Sequence, residues 1–143
     1  MENILNYIKV NENISTSGQP SVEQFELISN CGYEVVINLA LHNASNSLES
    51  EDKVVTDLGL SYFHIPVLFD DPKEEQLQLF LDILDINKNR KVWIHCALNY
   101  RVSAFMYIFH KYYLKTSFDE IDLSLLQEWN PNESWQDLMK IQL

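Results

Sequence analysis

Three short, almost unbroken apolar runs, with helix-periodic segments between them, constrain this chain more than any other feature. Val35-Val36-Ile37-Asn38-Leu39, Leu60-Ser61-Tyr62-Phe63-His64-Ile65-Pro66-Val67 and Val92-Trp93-Ile94-His95-Cys96 lack the strict alternation of a strand with one wet face. They read as strands covered on both faces, the habit of parallel sheets. Amphipathic stretches at about Glu51 to Leu58 and Glu74 to Ile86 lie between them. Strand, helix, strand, helix, strand predicts an α/β domain with a central, mainly parallel sheet, right-handed crossovers and ligands gathered at the carboxyl ends of the strands. Cys96 falls at such an end.

The flanks extend the pattern. Tyr7-Ile8-Lys9-Val10 and Ile14 suggest a short strand pair, turning into a loop at Ser15-Thr16-Ser17-Gly18-Gln19-Pro20. Ser21 with Gln24 forms a capping box, Phe25 and Ile28 supply helical spacing, and Cys31-Gly32 ends the helix. Cys31 is therefore expected to be structural. Val102 to Leu114 has scarcely a polar residue and reads as a buried central helix whose aromatic and Met side chains are core. Two more helices, Ser117 to Trp129 and Ser134 to Leu143, flank the turn Asn130-Pro131-Asn132, and no chemistry is assigned to them.

Composition narrows the functions available. A chain of 143 residues has the size of a single domain, here 1–143, without an internal repeat or linker. Ten basic against 21 acidic residues give a net charge of -11, which argues against nucleic acid or an anionic membrane as partner. No apolar run is long enough to span a bilayer and the first ten residues are too polar for a signal peptide, so a cytoplasmic protein is the expectation. Two cysteines, Cys31 and Cys96, exclude a disulfide framework or a four-cysteine zinc site. His42, His64, His95 and His110 show no ligand spacing, so neither a metal nor a cofactor is expected.

The chemistry concentrates in His95-Cys96-Ala97-Leu98-Asn99-Tyr100-Arg101-Val102-Ser103. A tight turn feeding a helix N-terminus aims backbone N–H groups at one spot, and the helix dipole adds positive potential there. That field favours the thiolate of Cys96, while the Arg101 guanidinium can grip two oxygens of a tetrahedral oxyanion. His95, next to Cys96 on a strand, points to the opposite face, where a structural hydrogen bond to backbone is expected.

His95-Cys96, a short loop, Arg101 and a helix resemble the signature of cysteine-dependent protein tyrosine and dual-specificity phosphatases. Ser17-Gly18-Gln19-Pro20-Ser21, Val36-Ile37-Asn38-Leu39, His64-Ile65-Pro66-Val67 and the helix after Pro72 resemble a small bacterial branch of that superfamily, including domains fused to beta-lactamase-like hydrolases. The likeness runs from about residue 15 to 113. It implies a phosphotyrosine phosphatase II-like fold and hydrolysis of a phosphate monoester, on a protein or a small molecule, through a phosphocysteine intermediate. Cys96 would be the nucleophile, Arg101 would bind the phosphoryl oxygens with the loop Ala97, Leu98, Asn99 and Tyr100, and Asp70 or Asp71 would protonate the leaving oxygen.

Two departures stand out. The family has five residues between cysteine and arginine, usually including a glycine; this chain has four and no glycine. Asn99 tolerates the left-handed backbone better than most residues and is expected to replace the glycine. Ser103 is expected to replace the hydroxyl that the family places directly after its arginine and aims at the sulfur. A four-residue loop is also the rhodanese length, so a sulfurtransferase carrying a persulfide on Cys96 stands as the alternative. A phosphate-binding domain without turnover is the third reading. Asp70-Asp71 before Pro72 is equally an ordinary helix start.

Overall fold

In the computed structural model, which describes residues 1–140, a five-stranded sheet is sandwiched between two layers of helices. Its strands are β1 (Ile8–Lys9), β2 (Ile14–Ser17), β3 (Val35–Asn38), β4 (Ser61–His64) and β5 (Val92–His95), in the order β1-β2-β5-β3-β4. All neighbours are parallel except β1 and β2. The mainly parallel sheet inferred from the apolar runs is the one observed. Six α-helices are α1 (Val22–Asn30), α2 (Glu51–Asp57), α3 (Glu74–Ile86), α4 (Tyr100–Phe109), α5 (Ser124–Trp129) and α6 (Glu133–Met139).

Alternation along β5 sorts side chains between the two layers. Val92, Ile94 and Cys96 join the core beneath α3 and α4, while Trp93 enters the core beneath α1 and α2. His95 follows Trp93 onto the α1/α2 side, where it meets the ring of Phe25. The period of two thus puts the nucleophile candidate and its preceding histidine on opposite faces.

Several boundaries differ from the sequence reading, each because tertiary pairing outweighs local signal. Ser15, Thr16 and Ser17, expected in a loop, are buried strand residues paired with Trp93, Ile94 and His95 of β5. Their hydroxyls are satisfied internally: Ser15 Oγ bonds the Tyr33 hydroxyl at 2.6 Å, and Trp93 Nε1 donates to Ser17 Oγ at 2.9 Å. The run Leu60 to Val67 shrinks to the half-buried edge strand β4, not a strand covered on both faces. The central helix begins at Tyr100, so Arg101 sits in its first turn, and it gives way at His110–Leu114 to a π-helical turn. Ser117 to Trp129 is broken into a 3-10 turn (Phe118–Glu120) and α5. The helix expected to run to Leu143 spans Glu133–Met139, and residues 141–143 lie outside the described region.

Helix α1 matches expectation in detail. Ser21 Oγ accepts from Gln24 N at 3.1 Å and the Gln24 carboxamide accepts from Ser21 N at 2.9 Å, with Cys31 as C-cap. Such a cap contributes about 1 kcal/mol. Among the described residues no helix is long and apolar enough to cross a membrane.

Candidate active site

Cys96 leaves the carboxyl end of β5 and is 1% exposed. The turn Ala97-Leu98-Asn99 carries the chain into α4. Asn99 has φ 68°, the left-handed conformation that its residue type tolerates. Its side-chain amide donates to Asn6 O at 2.8 Å and to Thr16 Oγ1 at 3.0 Å, which pins the turn to the amino-terminal segment.

The turn is held from outside by its carbonyls. Cys96 O is bonded by His95 Nδ1 at 3.1 Å; Ala97 O accepts from Gln19 N at 3.1 Å and Asn46 Nδ2 at 2.9 Å; Leu98 O accepts from Asn6 Nδ2 at 2.9 Å. Three successive carbonyls are thereby turned away from the concave side. The N–H groups of Ala97, Leu98 and Asn99 meet no acceptor among the described residues. Gly18 makes the arrangement possible, because a Cβ there would sit 2.7 Å from Ala97 O. No role was assigned to Asn6, Gln19 or Asn46 from sequence, since it depends on distant segments converging on one turn.

Arg101 supplies the positive charge. It is 5% exposed, its Nη1 donates to Val67 O at 2.8 Å, and its Nε is buried with no hydrogen-bond partner among the described residues. The guanidinium carbon lies 5.5 Å from the ring centre of Phe69. Among the described residues Arg101 forms no ion pair, whereas Arg90 meets Glu34 at 3.3 Å. A buried cation without a carboxylate, next to unpaired N–H groups and a helix N-terminus, is an anion site by its electrostatics.

Asp70 and Asp71 differ in their surroundings. Asp71 pairs with Lys73 at 2.9 Å on the surface. Asp70 lines a cavity of about 280 Å³ with Phe69, Trp129, Asn130, Asn132 and Trp135. Its backbone carbonyl accepts from Asn132 Nδ2 at 3.0 Å, and the Phe69 carbonyl accepts from Trp135 Nε1 at 2.6 Å. Tyr100, inside the Cys96–Arg101 loop, stacks on Trp129 with centroids 5.6 Å apart and an interplanar angle of 2°. The carboxyl-terminal helices, to which no chemistry was assigned, therefore shape the cavity walled by Phe69, the ring that the Arg101 guanidinium faces.

Trp135 is fully buried, so Trp135→Ala is expected to cost about 3–5 kcal/mol in denaturant unfolding, through a cavity and an unpaired Phe69 carbonyl. A loss under about 1 kcal/mol would show that Trp135 does not anchor the Asp70 loop.

Ser103 does not take the position anticipated for it. Its hydroxyl approaches Asn99 Oδ1 at 3.4 Å, and it makes no hydrogen bond to the Cys96 sulfur among the described residues. One helical turn links Asn99 to Ser103, and that geometry directs the hydroxyl back toward the helix start.

Behind the loop lies a polar network that sequence reasoning missed. Glu51, the first residue of α2, is 2% exposed. Its Oε2 meets His95 Nε2 at 2.7 Å and accepts from the Tyr62 hydroxyl at 2.8 Å, while Oε1 accepts from Gln19 Nε2 at 2.5 Å. Burial alone would raise the Glu51 carboxyl, but the hydrogen bond and charge of His95, with Gln19 and Tyr62, outweigh it and hold the group below the usual carboxylate range. Burial, then the Glu51 charge, pushes the Tyr62 phenol well above its ordinary value. The expected backbone bond of His95 is present, to Cys96 O; its other nitrogen had no visible partner in sequence because Glu51 is 44 residues away.

Fold and loop together define a phosphatase-like domain of the cysteine-dependent protein tyrosine and dual-specificity class. The chain belongs to the family described as DSP-PTPase phosphatase fused to NAD+ kinase, which it matches over residues 6–135. A DUF442 protein from Shewanella putrefaciens CN-32 is 30% identical, with a TM-score of 0.87 over 97% of this chain and 91% of that one. The catalytic core of the PP-IP phosphatase SIW14 from S. cerevisiae is 17% identical (TM-score 0.74; 97% and 86% covered). TpbA from P. aeruginosa, in complex with pTyr, is 12% identical (TM-score 0.70; 96% and 82%). The last two share the fold. The comparison with curated proteins finds no match.

Proposed function

We propose that this chain hydrolyses phosphate monoesters through Cys96, with Arg101 and the N–H groups of Ala97, Leu98 and Asn99 binding the phosphoryl oxygens. The observation that carries this reading is the turn itself: three carbonyls held outward, with three N–H groups and a buried guanidinium Nε–H that meet no acceptor among the described residues. These donors suit the three equatorial oxygens of a transferring phosphoryl group, where charge accumulates. The phosphate-ester chemistry of the family and the pTyr bound to TpbA support the same reading.

Cys96 attacks phosphorus as the phosphorus–oxygen bond to the leaving group breaks, giving a phosphocysteine; water then attacks phosphorus, releasing phosphate and the thiolate. The leaving alkoxide needs a proton. Asp70 is the acid in this reading, because it opens on the cavity walled by Phe69, the ring that Arg101 faces, whereas Asp71 is engaged by Lys73. Phe69 and Trp129 in the same cavity offer aromatic faces to the leaving group.

The test is release of phosphate from aryl phosphates by the wild type, with thiosulfate:cyanide sulfur transfer measured on the same samples. Phosphate release alone is expected; sulfur transfer alone would move Cys96 to persulfide chemistry, and phosphate binding without turnover would leave a binding domain. Asp70→Asn is expected to lose about 10²–10⁴-fold with phenyl phosphate and much less with nitrophenyl phosphate, whose leaving group needs little protonation. An equal loss for both substrates, or a larger loss in Asp71→Asn, would remove Asp70 from the role.

A further inference from the structure

Both ring nitrogens of His95 face oxygen acceptors. Nε2 is 2.7 Å from Glu51 Oε2 and Nδ1 is 3.1 Å from Cys96 O. Against a charged Glu51 carboxylate, a neutral imidazole with its single N–H would leave one nitrogen lone pair aimed at an oxygen in either tautomer. Water offers no relief, since the side chains of His95 and Glu51 are 0% and 1% exposed.

The neighbours do not supply the missing hydrogen to His95. Tyr62 directs its hydroxyl hydrogen to Glu51, because its oxygen already accepts from Asn38 Nδ2 at 3.0 Å. Gln19 donates to the other carboxylate oxygen. Phe25 on α1 meets the ring at an interplanar angle of 65° and offers no donor, and Ser17 and Asn38 are the register neighbours on β2 and β3. Glu51, Tyr62 and Cys96 are thus the titratable groups around the ring. All contacts are satisfied when the pair holds a proton on each ring nitrogen and a charged carboxylate.

We propose that Glu51 is a positioning residue for Cys96 that acts through His95: its carboxylate keeps the imidazole doubly protonated, and that imidazolium grips the Cys96 carbonyl and favours the thiolate. The inference rests on Cys96 being the nucleophile. Glu51 lies beyond Nε2, on the side of the ring away from the Cys96 carbonyl, so the pair is a dipole with its positive end toward the cysteine. In a water-free interior such a dipole is weakly screened. Gln19 ties the device to the loop, its backbone N–H on Ala97 O and its carboxamide on Glu51.

The experiment is the pH dependence of Cys96 alkylation by iodoacetamide, with Cys31→Ala in every sample, together with the ¹⁵N spectrum of His95. Glu51→Gln is expected to raise the midpoint of thiolate formation, slowing alkylation at neutral pH by about tenfold, and to return His95 to a neutral tautomer. In the wild type both nitrogens should carry hydrogen at neutral pH. An unchanged midpoint in a folded Glu51→Gln, or a singly protonated His95 in the wild type, would overturn the proposal. The wild-type spectrum decides the matter even if the variant does not fold. Alkylation needs no turnover, so this inference can fail while Cys96-dependent phosphate release stands, and the reverse outcome would show up as a shifted midpoint without hydrolysis.

Discussion

Cys96→Ser is expected to abolish phosphate release, by on the order of 10⁴-fold or more, while the protein keeps its fold and its affinity for inorganic phosphate. A serine hydroxyl stays protonated at neutral pH, and the positive loop that suits a thiolate cannot ionise it. The groups that would bind the phosphoryl oxygens are untouched, because they are backbone N–H groups of Ala97 to Asn99 and the guanidinium of Arg101. Single-turnover phosphate release and phosphate binding by calorimetry, on wild type and variant, check both halves. Retained turnover would remove Cys96 from the chemistry, and lost phosphate affinity would mean that the thiolate, not the loop, organises the site.

Arg101→Met is expected to cost about 10³-fold or more in kcat/KM without lowering the midpoint of unfolding. A charged side chain at 5% exposure with a spare Nε–H is a poor contributor to stability, since its desolvation is offset by a bond to Val67 O and the face of Phe69 alone. Replacing a buried charge by an apolar side chain of similar length is often neutral or stabilising. Arg101→Lys should also lose most activity, because an ammonium cannot present two parallel N–H groups to two oxygens. Circular dichroism in denaturant and steady-state kinetics separate the effects. A destabilisation above about 2 kcal/mol with activity largely intact would make Arg101 a structural residue.

Cys96 and Arg101 can be nominated from sequence because their placement depends on local order: a strand end, a tight turn and a helix start within a handful of residues. Asn99 was legible for the same reason, as a non-glycine in a turn that needs positive φ. The buried Glu51 was not, because helical periodicity marks a carboxylate as solvent-facing until His95, Tyr62 and Gln19 arrive from three other segments. Ser15 to Ser17 read as a loop by composition, yet pairing with β5 and hydrogen bonds to Tyr33 and Trp93 hold these hydroxyl residues in the sheet.

Local pattern along the chain sets the parallel α/β architecture, since unbroken apolar runs alternating with amphipathic helices bury well in few other ways. It also determined the order of chemistry-bearing residues at the end of β5. Long-range packing alone settles that Asp70 opens on a cavity and that Trp129 and Trp135 wall it. These outcomes depend on which distant donors and aromatic faces meet. Periodicity reports how a residue faces its own element, and the meeting of elements is settled by long-range packing and hydrogen bonding.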